Sequence, residues 1–350
     1  MRYFLLLLGF SALLSGCGTG EFSEASLPEA VGKAGELVII CDDAVWEGRT
    51  GEEIKKTYAS LQPGMPQAEA WFKLIRFDEG KFNSITRKYR NILFITTLDN
   101  QSKTSRYIKN LLGEKQYSQQ LSDSNFLFVE SSNRWARGQQ IFYLIGENDK
   151  ALSRGIVRKR NELLAYLNKK ELDRMSKSIS SKSRNKALEK SLNDSMQLRL
   201  SLPPSYQAKV IGSGFSWIGR EDADKTLSIF IGTQPYRSEV QFSSEALLTF
   251  KDSLSKANIL GPLPGSWYTT EYLMPPDTFV SSFNNQYALQ MRGLWKVEND
   301  FMGGPFFHLT VYDKPRDRLI SLEGFVYYPK EKKRELLREL EAIISTLVLE

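Results

Sequence analysis

A polar, basic segment near the middle of the chain divides two halves whose apolar patterns differ. Residues 175–186 read MSKSISSKSRNK, so serine, lysine and arginine leave few side chains for a core. Such a composition is typical of a linker or of an exposed helix junction. We therefore predict an N-terminal domain at residues 35–172, a basic linker or helix at 173–195 and a C-terminal domain at 196–350. One continuous sheet system across both halves remains the alternative.

The first half alternates short apolar segments with helical ones, which predicts an N-terminal α/β sandwich. Strands are expected at residues 37–41, 71–77, 91–97, 125–130 and 140–145. The helices of this half are expected at residues 46–61, 106–112 and 151–167. In the last of these helices, apolar residues recur at the spacing of a single buried stripe.

The second half is richer in strands, and it predicts a mostly antiparallel sheet flanked by helices. Strands are expected at residues 197–202, 215–220, 226–233, 266–273, 286–297, 306–313 and 318–327. Helices are expected at residues 244–257 and 330–347. A turn at residues 313–317, which contains Pro315, is predicted to join the last two strands as a hairpin. The predicted class is α+β, with two α/β sandwich domains.

The N-terminus has the pattern of a bacterial lipoprotein signal peptide at residues 1–16. Arg2 precedes an apolar run, and Leu14-Ser15-Gly16-Cys17 reads as a lipobox with small residues before the cysteine. The run is shorter than the roughly 20 apolar residues that a transmembrane helix needs. We therefore expect cleavage before Cys17 and lipidation of its thiol, followed by a flexible stalk at residues 18–34. The acylated protein would be anchored to a membrane.

The residue after the predicted lipidated cysteine indicates in which membrane the protein is located. Position 18 is glycine rather than aspartate, which in Gram-negative lipoproteins favours the outer membrane over inner-membrane retention. An acidic surface-export tag is not evident, because Glu21 and Glu24 are isolated. We therefore expect an outer-membrane lipoprotein of the cell envelope that faces the periplasm.

The only other cysteine is Cys41, at the end of an apolar run. With Cys17 acylated, Cys41 has no partner for an internal disulfide. It is predicted to be a small buried hydrophobe.

Positive charge is concentrated between residues 150 and 190, which hold 13 Lys and Arg against 4 Asp and Glu. We interpret this as a solvated helix face, with contact to anionic lipid headgroups as the alternative. In the envelope, a nucleic-acid partner is not expected despite the sequence pI of about 9.0.

Catalytic signatures are missing from the sequence. It contains no GxxxxGK[ST], HExxH or GxSxG pattern, and its single histidine, His308, excludes most multi-histidine metal sites. By strand alternation His308 shares a face with Phe306 and Thr310, and a structural role is favoured over acid–base catalysis. We predict no catalytic residue, metal or cofactor. The carboxylates Glu298, Asp300 and Glu323 are the candidates if the protein is a hydrolase.

Residues 291–305 are the candidate binding segment. Turn-forming residues surround an apolar Phe-Met pair there, and residues 267–328 hold 14 aromatic residues, about twice the average density of the chain. Rings beside an arginine can bind sugars, peptides or lipid tails. The predicted binding residues are Arg292, Trp295, Asp300, Phe301, Met302, Gly303 and Gly304. Alternatively, these rings fill the core and the Gly-Gly-Pro loop only caps it.

Several segments resemble an uncharacterised family of Gram-negative lipoproteins, known only as a domain of unknown function. They include RGLWKVENDFMGGPF, LEGFVYYP, KRELLRELEAIISTL and YRNILFIT, so the resemblance extends over nearly the whole mature chain. The order of strands and helices in the second half also resembles Mog1/PsbP-like sandwiches. Neither resemblance implies a site residue, because fold does not determine function.

The combined expectation is a membrane-anchored periplasmic lipoprotein that binds or adapts a partner, such as an envelope protein, without being an enzyme. The alternatives are an envelope hydrolase or transferase that uses carboxylates, and a hydrophobic-ligand carrier. A carrier would require an apolar cavity of about 300 Å³ or more.

Overall fold

The computed structural model describes residues 26–77, 79–113 and 126–349, which form an α+β protein built on two separate main sheets. The predicted signal peptide and Cys17 lie outside the described residues. Part of the predicted stalk is bound to the N-terminal half: the amide of Ala30 donates to the carbonyl of Arg137 at 3.0 Å, and that of Val31 to Lys88 at 2.9 Å. The carbonyl of Pro28 also accepts from the amide of Arg137 at 2.7 Å, so the chain from Pro28 onward is held by the N-terminal half.

The N-terminal sheet, within the described ranges, has five strands in the order β2-β1-β3-β5-β4. Its strands are β1 Glu36–Ile40, β2 Lys73–Phe77, β3 Asn91–Thr97, β4 Phe126–Ser132 and β5 Gln140–Gly146. Of these, only β4 runs antiparallel to its neighbour. The central strands are apolar on both faces because helices cover both.

The described helices around this sheet are α1 Asp43–Glu47, α2 Arg49–Tyr58, α3 Lys103–Leu112 and α4 Asp149–Ser181. Leu37 and Ile39 pack with residues of α2 and α4, whereas Val38 and Ile40 pack with Ile108 of α3. The predicted α/β sandwich is therefore present. The predicted helix at residues 46–61 is divided into α1 and α2, because Gly48 is extended.

Helix α4 crosses the predicted boundary between residues 172 and 173 without interruption. Asn148 caps its start by accepting a hydrogen bond from the amide of Ala151 at 3.0 Å. Glu171 is fully buried and pairs with Arg90 and Arg174, which anchors the helix to β3. The predicted basic linker is thus mostly helix, since lysine and arginine favour helices. It comprises the second part of α4 and α5 Lys186–Met196.

In the part of the chain that the structure describes, the C-terminal sheet has eight strands, all antiparallel. Its strands are β7 Gln207–Val210, β8 Phe215–Glu221, β9 Thr226–Pro235, β10 Trp267–Thr270, β11 Asp277–Phe283, β12 Gln286–Glu298, β13 Gly303–Asp313 and β14 Arg318–Tyr327. The order is β10-β12-β13-β14-β9-β8-β7, with β11 also paired to β12. The sequence missed β7 and β11, and most of the strand expected at residues 197–202 is not in a sheet. Only β6 Leu198–Arg199 pairs there, with β15 Val348–Leu349.

Helices cover both faces of this sheet. Helix α6 Ser244–Asn258 packs on one face, and α5 and α7 Arg334–Ile344 pack on the other. A glycine on β14 allows the close approach of α7, since a Cβ at Gly324 would lie 2.8 Å from the Cβ of Leu340. The α6 face is rich in aromatic rings, whereas the α7 face is mainly aliphatic.

The two halves contact each other where segment 62–72 meets α7. Glu69 accepts hydrogen bonds from the amides of Lys333 at 2.7 Å and Arg334 at 3.2 Å, so one half caps a helix of the other. Arg338 is buried at this contact and donates to the carbonyl of Trp71 at 3.0 Å. Its burial lowers the pKa of the guanidinium group below the ordinary value. The sheets are separate, but the halves are not isolated.

Candidate functional site

Arg292 and Trp295, both predicted to bind a partner, lie on opposite faces of the C-terminal sheet. They are three residues apart on β12, and side chains alternate between faces along a strand. Arg292 lies 5.0 Å from the ring centre of Phe307 on the α7 face, whereas Trp295 packs on the α6 face. Both side chains are buried, so they do not form one exposed surface.

Arg292 joins three parts of the molecule. Its guanidinium group donates to both carboxylate oxygens of Glu341 on α7, one of them at 2.7 Å. It also lies 4.9 Å from the ring centre of Trp71, in segment 62–72. Since its charge is paired and its planar faces meet aromatic rings, Arg292 has a structural role at the contact between the halves.

Trp295 is part of an aromatic cluster on the α6 face. Its ring stacks on Tyr268 with centroids 5.1 Å apart and meets the edge of Phe325 at 5.3 Å. The indole nitrogen donates to the carbonyl of Val326 at 3.2 Å. Gly304, opposite Trp295 on β13, leaves room for this, because a Cβ there would lie 2.0 Å from the same carbonyl oxygen. This part of the predicted site is core.

The turn between β12 and β13 presents the remaining predicted residues, and we call residues 299–302 the Phe301 turn. Asn299 adopts a positive φ of 63°, and the amide of Val297 donates to the carbonyl of Met302 at 2.8 Å. Asp300 accepts from the amide of Phe301 at 2.6 Å, and Met302 packs against the aromatic cluster. These contacts hold the turn in place, and the ring of Phe301 on it is fully exposed.

A cleft of about 310 Å³ lies beside the Phe301 turn. Pro66 from the N-terminal half forms part of its wall, together with Glu271, Lys296 and the glycines Gly303 and Gly304. The walls therefore combine an apolar ring, backbone atoms and charges of both signs.

A buried polar cluster surrounds Glu323 on β14. Glu323 accepts hydrogen bonds from Lys251 at 3.2 Å and Tyr268 at 2.5 Å, and it contacts Nδ1 of His308 at 3.0 Å. The other ring nitrogen of His308 lies 3.0 Å from the hydroxyl of Thr310. His308 shares its face with Phe306 and Thr310, as the alternation predicts. Both of its ring nitrogens therefore have buried partners.

Asp252 extends this cluster toward solvent. It pairs with Lys251 at 3.0 Å and accepts from the hydroxyl groups of Thr270 and Tyr272, each at 2.8 Å. Burial acts to raise the pKa of Asp252, but Lys251 and the hydroxyl donors outweigh it and hold this pKa below its ordinary value. Burial and the carboxylate of Asp252 raise the pKa of Tyr272 to about 12.

The three candidate carboxylates do not converge on one cleft. Glu323 is fully buried and faces α6. Glu298 lies on the opposite side of the sheet and pairs with Lys296 at 3.1 Å. Asp300 bonds within its own turn. A hydrolase that uses two of these carboxylates together therefore has no geometric support.

Cys41 is completely buried beside β1, which confirms that it is a small core hydrophobe. Burial raises the pKa of its thiol to about 11, although Arg76 acts to lower it.

Over the described ranges, no helix is long and apolar enough to cross a membrane. The same ranges contain no group of three or more His, Cys, Asp or Glu side chains placed to hold a metal ion.

Sequence reasoning missed an exposed apolar segment between β10 and β12. The predicted strand at residues 266–273 stops at Thr270, and the side chain of Leu273 is 90% exposed. Met274 is also exposed, and so is Val280, at 73%, on β11. The run YLMPP was the available signal.

Comparison with known proteins gives domains without an assigned function. Residues 30–180 match a family model described as a domain of unknown function (DUF8532), and residues 184–346 match another described as a domain of unknown function (DUF4837). The two matches meet where α4 ends. No curated protein matches the chain.

Two solved structures of Mog1 have a weak similarity to this chain. One is a point mutant of the protein Mog1, with 10% identity, a TM-score of 0.30, and coverage of 43% of this chain and 90% of the other. The second is the Ran-binding protein Mog1p of Saccharomyces cerevisiae, with 9% identity, a TM-score of 0.31, and coverage of 43% and 89%.

Proposed function

We propose that the protein is a lipoprotein anchored to the outer membrane, facing the periplasm, that binds a partner protein without catalysing a reaction. The lipobox ending at Cys17 supports the anchor. The absence of converging carboxylates among the three candidates favours binding over hydrolysis. In this role the protein holds an envelope partner near the membrane as an adaptor.

One observation carries the binding role: the fully exposed ring of Phe301 stands on a turn whose neighbours are held in place. An aromatic ring presented by a rigid turn loses little conformational entropy when it enters a pocket on a partner. The adjacent cleft, with Pro66 and Glu271 in its wall, would receive a side chain in return. Of the seven predicted binding residues, the proposed interface retains Asp300, Phe301 and Met302, with Gly303 and Gly304 beside them.

The anchor is tested by membrane fractionation of cells that express the wild-type chain or Cys17→Ser. We expect wild type in the membrane fraction, with acyl chains on Cys17 found by mass spectrometry, and the variant in the soluble fraction. Cys41→Ala is the matched control and should remain in the membrane. Retention of Cys17→Ser in the membrane would contradict lipid anchoring.

The interface is tested by in-cell crosslinking of the lipidated protein, followed by affinity capture and mass spectrometry. A stoichiometric envelope protein should be captured by wild type and lost with Phe301→Ala. Ile85→Ala removes another exposed apolar side chain, in the other half, and should retain the partner. Equal capture by both variants would show that the Phe301 turn is not the interface.

A further inference from the structure

Strand β11 is an unusually open edge of the C-terminal sheet. Its seven residues pair with β12 on one side, and among the described residues no strand pairs with the other side. It joins β12 through Asn284 and Asn285, whose φ angles of 49° and 62° belong to a two-residue hairpin turn. The register is therefore well defined.

This register shows which backbone groups point outward. A two-residue hairpin closes on a hydrogen-bonded pair, here Phe283 with Gln286, and such pairs then alternate along the ladder. The N–H and C=O groups of Thr278, Val280 and Ser282 consequently face away from β12. They form a row that one additional strand would satisfy.

The opposite edge of the same sheet is protected, which makes the open edge at β11 distinctive. Strand β7 has only four residues and an irregular register between Ala208 and Val210. Lys209 on β7 pairs with Glu221 and lies over the ring of Trp217. A short strand, a bulge and a lysine are common protections against strand addition, and β11 has no bulge or lysine within its range.

A groove of about 610 Å³ lies between α6 and the start of β11, together with the residues just before that strand. Leu248 and Tyr272 provide apolar wall, and Thr278 places the groove on the α6 face of the edge strand. The carboxylate of Glu245 lines it, and none of its lining residues is a lysine or arginine. A strand added to β11 would direct alternate side chains toward the α6 face, where a lysine or arginine near Thr278 would meet the carboxylate of Glu245.

We propose that an extended segment of a partner protein, with apolar and Lys or Arg residues alternating, binds as an additional strand on β11. Main-chain hydrogen bonds to Thr278, Val280 and Ser282 hold it, and the groove beside α6 selects its cationic side chains. The proposal rests on the function as a binding protein. It uses a different surface from the Phe301 turn, so each can fail without the other.

The test uses the full-length lipidated protein in detergent micelles and a short synthetic peptide in which valine alternates with lysine. Fluorescence anisotropy measures the dissociation constant, and amide hydrogen exchange locates the bound peptide. We expect slower exchange at the amides of Thr278, Val280 and Ser282 when the peptide binds. A peptide with glutamate in place of lysine should bind more weakly.

Val280→Pro removes one outward N–H while leaving the bonds to β12, since proline is tolerated where an edge N–H faces solvent. We expect about tenfold weaker peptide binding, whereas Val280→Thr, which retains the N–H, should bind like wild type. Glu245→Gln should weaken binding about threefold at low salt, and Glu52→Gln, on an exposed position of α2, should not. Circular dichroism checks that each variant is folded.

Peptide binding without slower exchange at these three amides would overturn the proposal, as would equal binding of the lysine and glutamate peptides. The three amides could instead be protected from exchange without peptide, with protection that increases with protein concentration. That result would show that a second copy of the chain covers the edge, and it would also overturn the proposal. Phe301→Ala should leave peptide binding unchanged, which separates this test from that of the Phe301 turn.

Discussion

Arg292 and Glu341 form a two-point ion pair buried between the C-terminal sheet and α7. The ring of Trp71, from the other half of the chain, lies against the same guanidinium group at 4.9 Å. One strand, one helix and the other half of the chain therefore meet at a single charged pair. The sequence analysis predicted that Arg292 binds a partner, but in the structure Arg292 connects the two halves of the chain.

Replacing Arg292 with methionine should strongly destabilise the protein. The change leaves Glu341 buried without its cation, which typically costs about 3–5 kcal/mol of unfolding free energy. Urea denaturation followed by circular dichroism measures this cost. Arg87→Met, at an exposed position, serves as the control and should change stability by less than about 0.5 kcal/mol.

The double variant Arg292→Met with Glu341→Leu tests the cause of that loss. Since an apolar pair often replaces a buried ion pair at little cost, the double variant should regain most of the lost stability. If the double variant is as unstable as the single one, the loss comes from packing around Trp71 and Phe307 rather than from the unpaired carboxylate.

Truncation of Trp295 should lower the free energy of unfolding strongly, whereas truncation of Phe301 should hardly change it. Trp295→Ala removes a buried ring from the aromatic cluster and should cost about 3–5 kcal/mol of unfolding free energy. Phe301→Ala removes a fully exposed ring and should change stability by no more than about 0.5 kcal/mol. Thermal and urea unfolding of the two variants provide the comparison. A large loss with Phe301→Ala would mean that its ring supports the fold.

Protonation of Asp252 should lower the stability of the folded protein in acid. Its pKa in the folded state is held below the ordinary value of 3.8, so folding favours the charged form. This contribution is complete above the pKa of the unfolded state and is lost as the pH falls toward the folded-state pKa. The urea midpoint of wild type should therefore drop more steeply below about pH 4 than that of Asp252→Asn. Parallel pH profiles would contradict this role of Asp252.

The thiol of Cys41 should be unreactive in the folded protein. Its thiol is buried and its pKa is raised to about 11, so hardly any thiolate exists at pH 8. A thiol-specific chromogenic disulfide should react with Cys41 only after urea unfolds the protein. Stoichiometric reaction in the native state within minutes would show that the thiol is accessible.

Most of the regular elements could be predicted because their apolar periods are local. Strand β3 and helix α6 closely match the predicted segments at residues 91–97 and 244–257. Strand β11 was missed because its alternation is weak and, among the described residues, one of its edges has no strand partner. The predicted helix at residues 151–167 stops short of the end of α4, because a basic exposed face resembles a linker. The sequence does not show that Glu171 is buried against Arg90 and Asn91, which are distant in the chain.

The sequence alone determined the α+β class and the side of β13 on which His308 lies, since both depend on neighbouring residues or on strand alternation. It is also the whole basis for predicting a lipobox that ends at Cys17. Only the tertiary structure decided that Arg292 pairs with Glu341, that Trp295 belongs to the core and that Phe301 remains exposed. It also decided that one edge of the sheet is open at β11. These outcomes depend on contacts between residues far apart in the chain, and local patterns cannot specify which distant partner covers a given side chain.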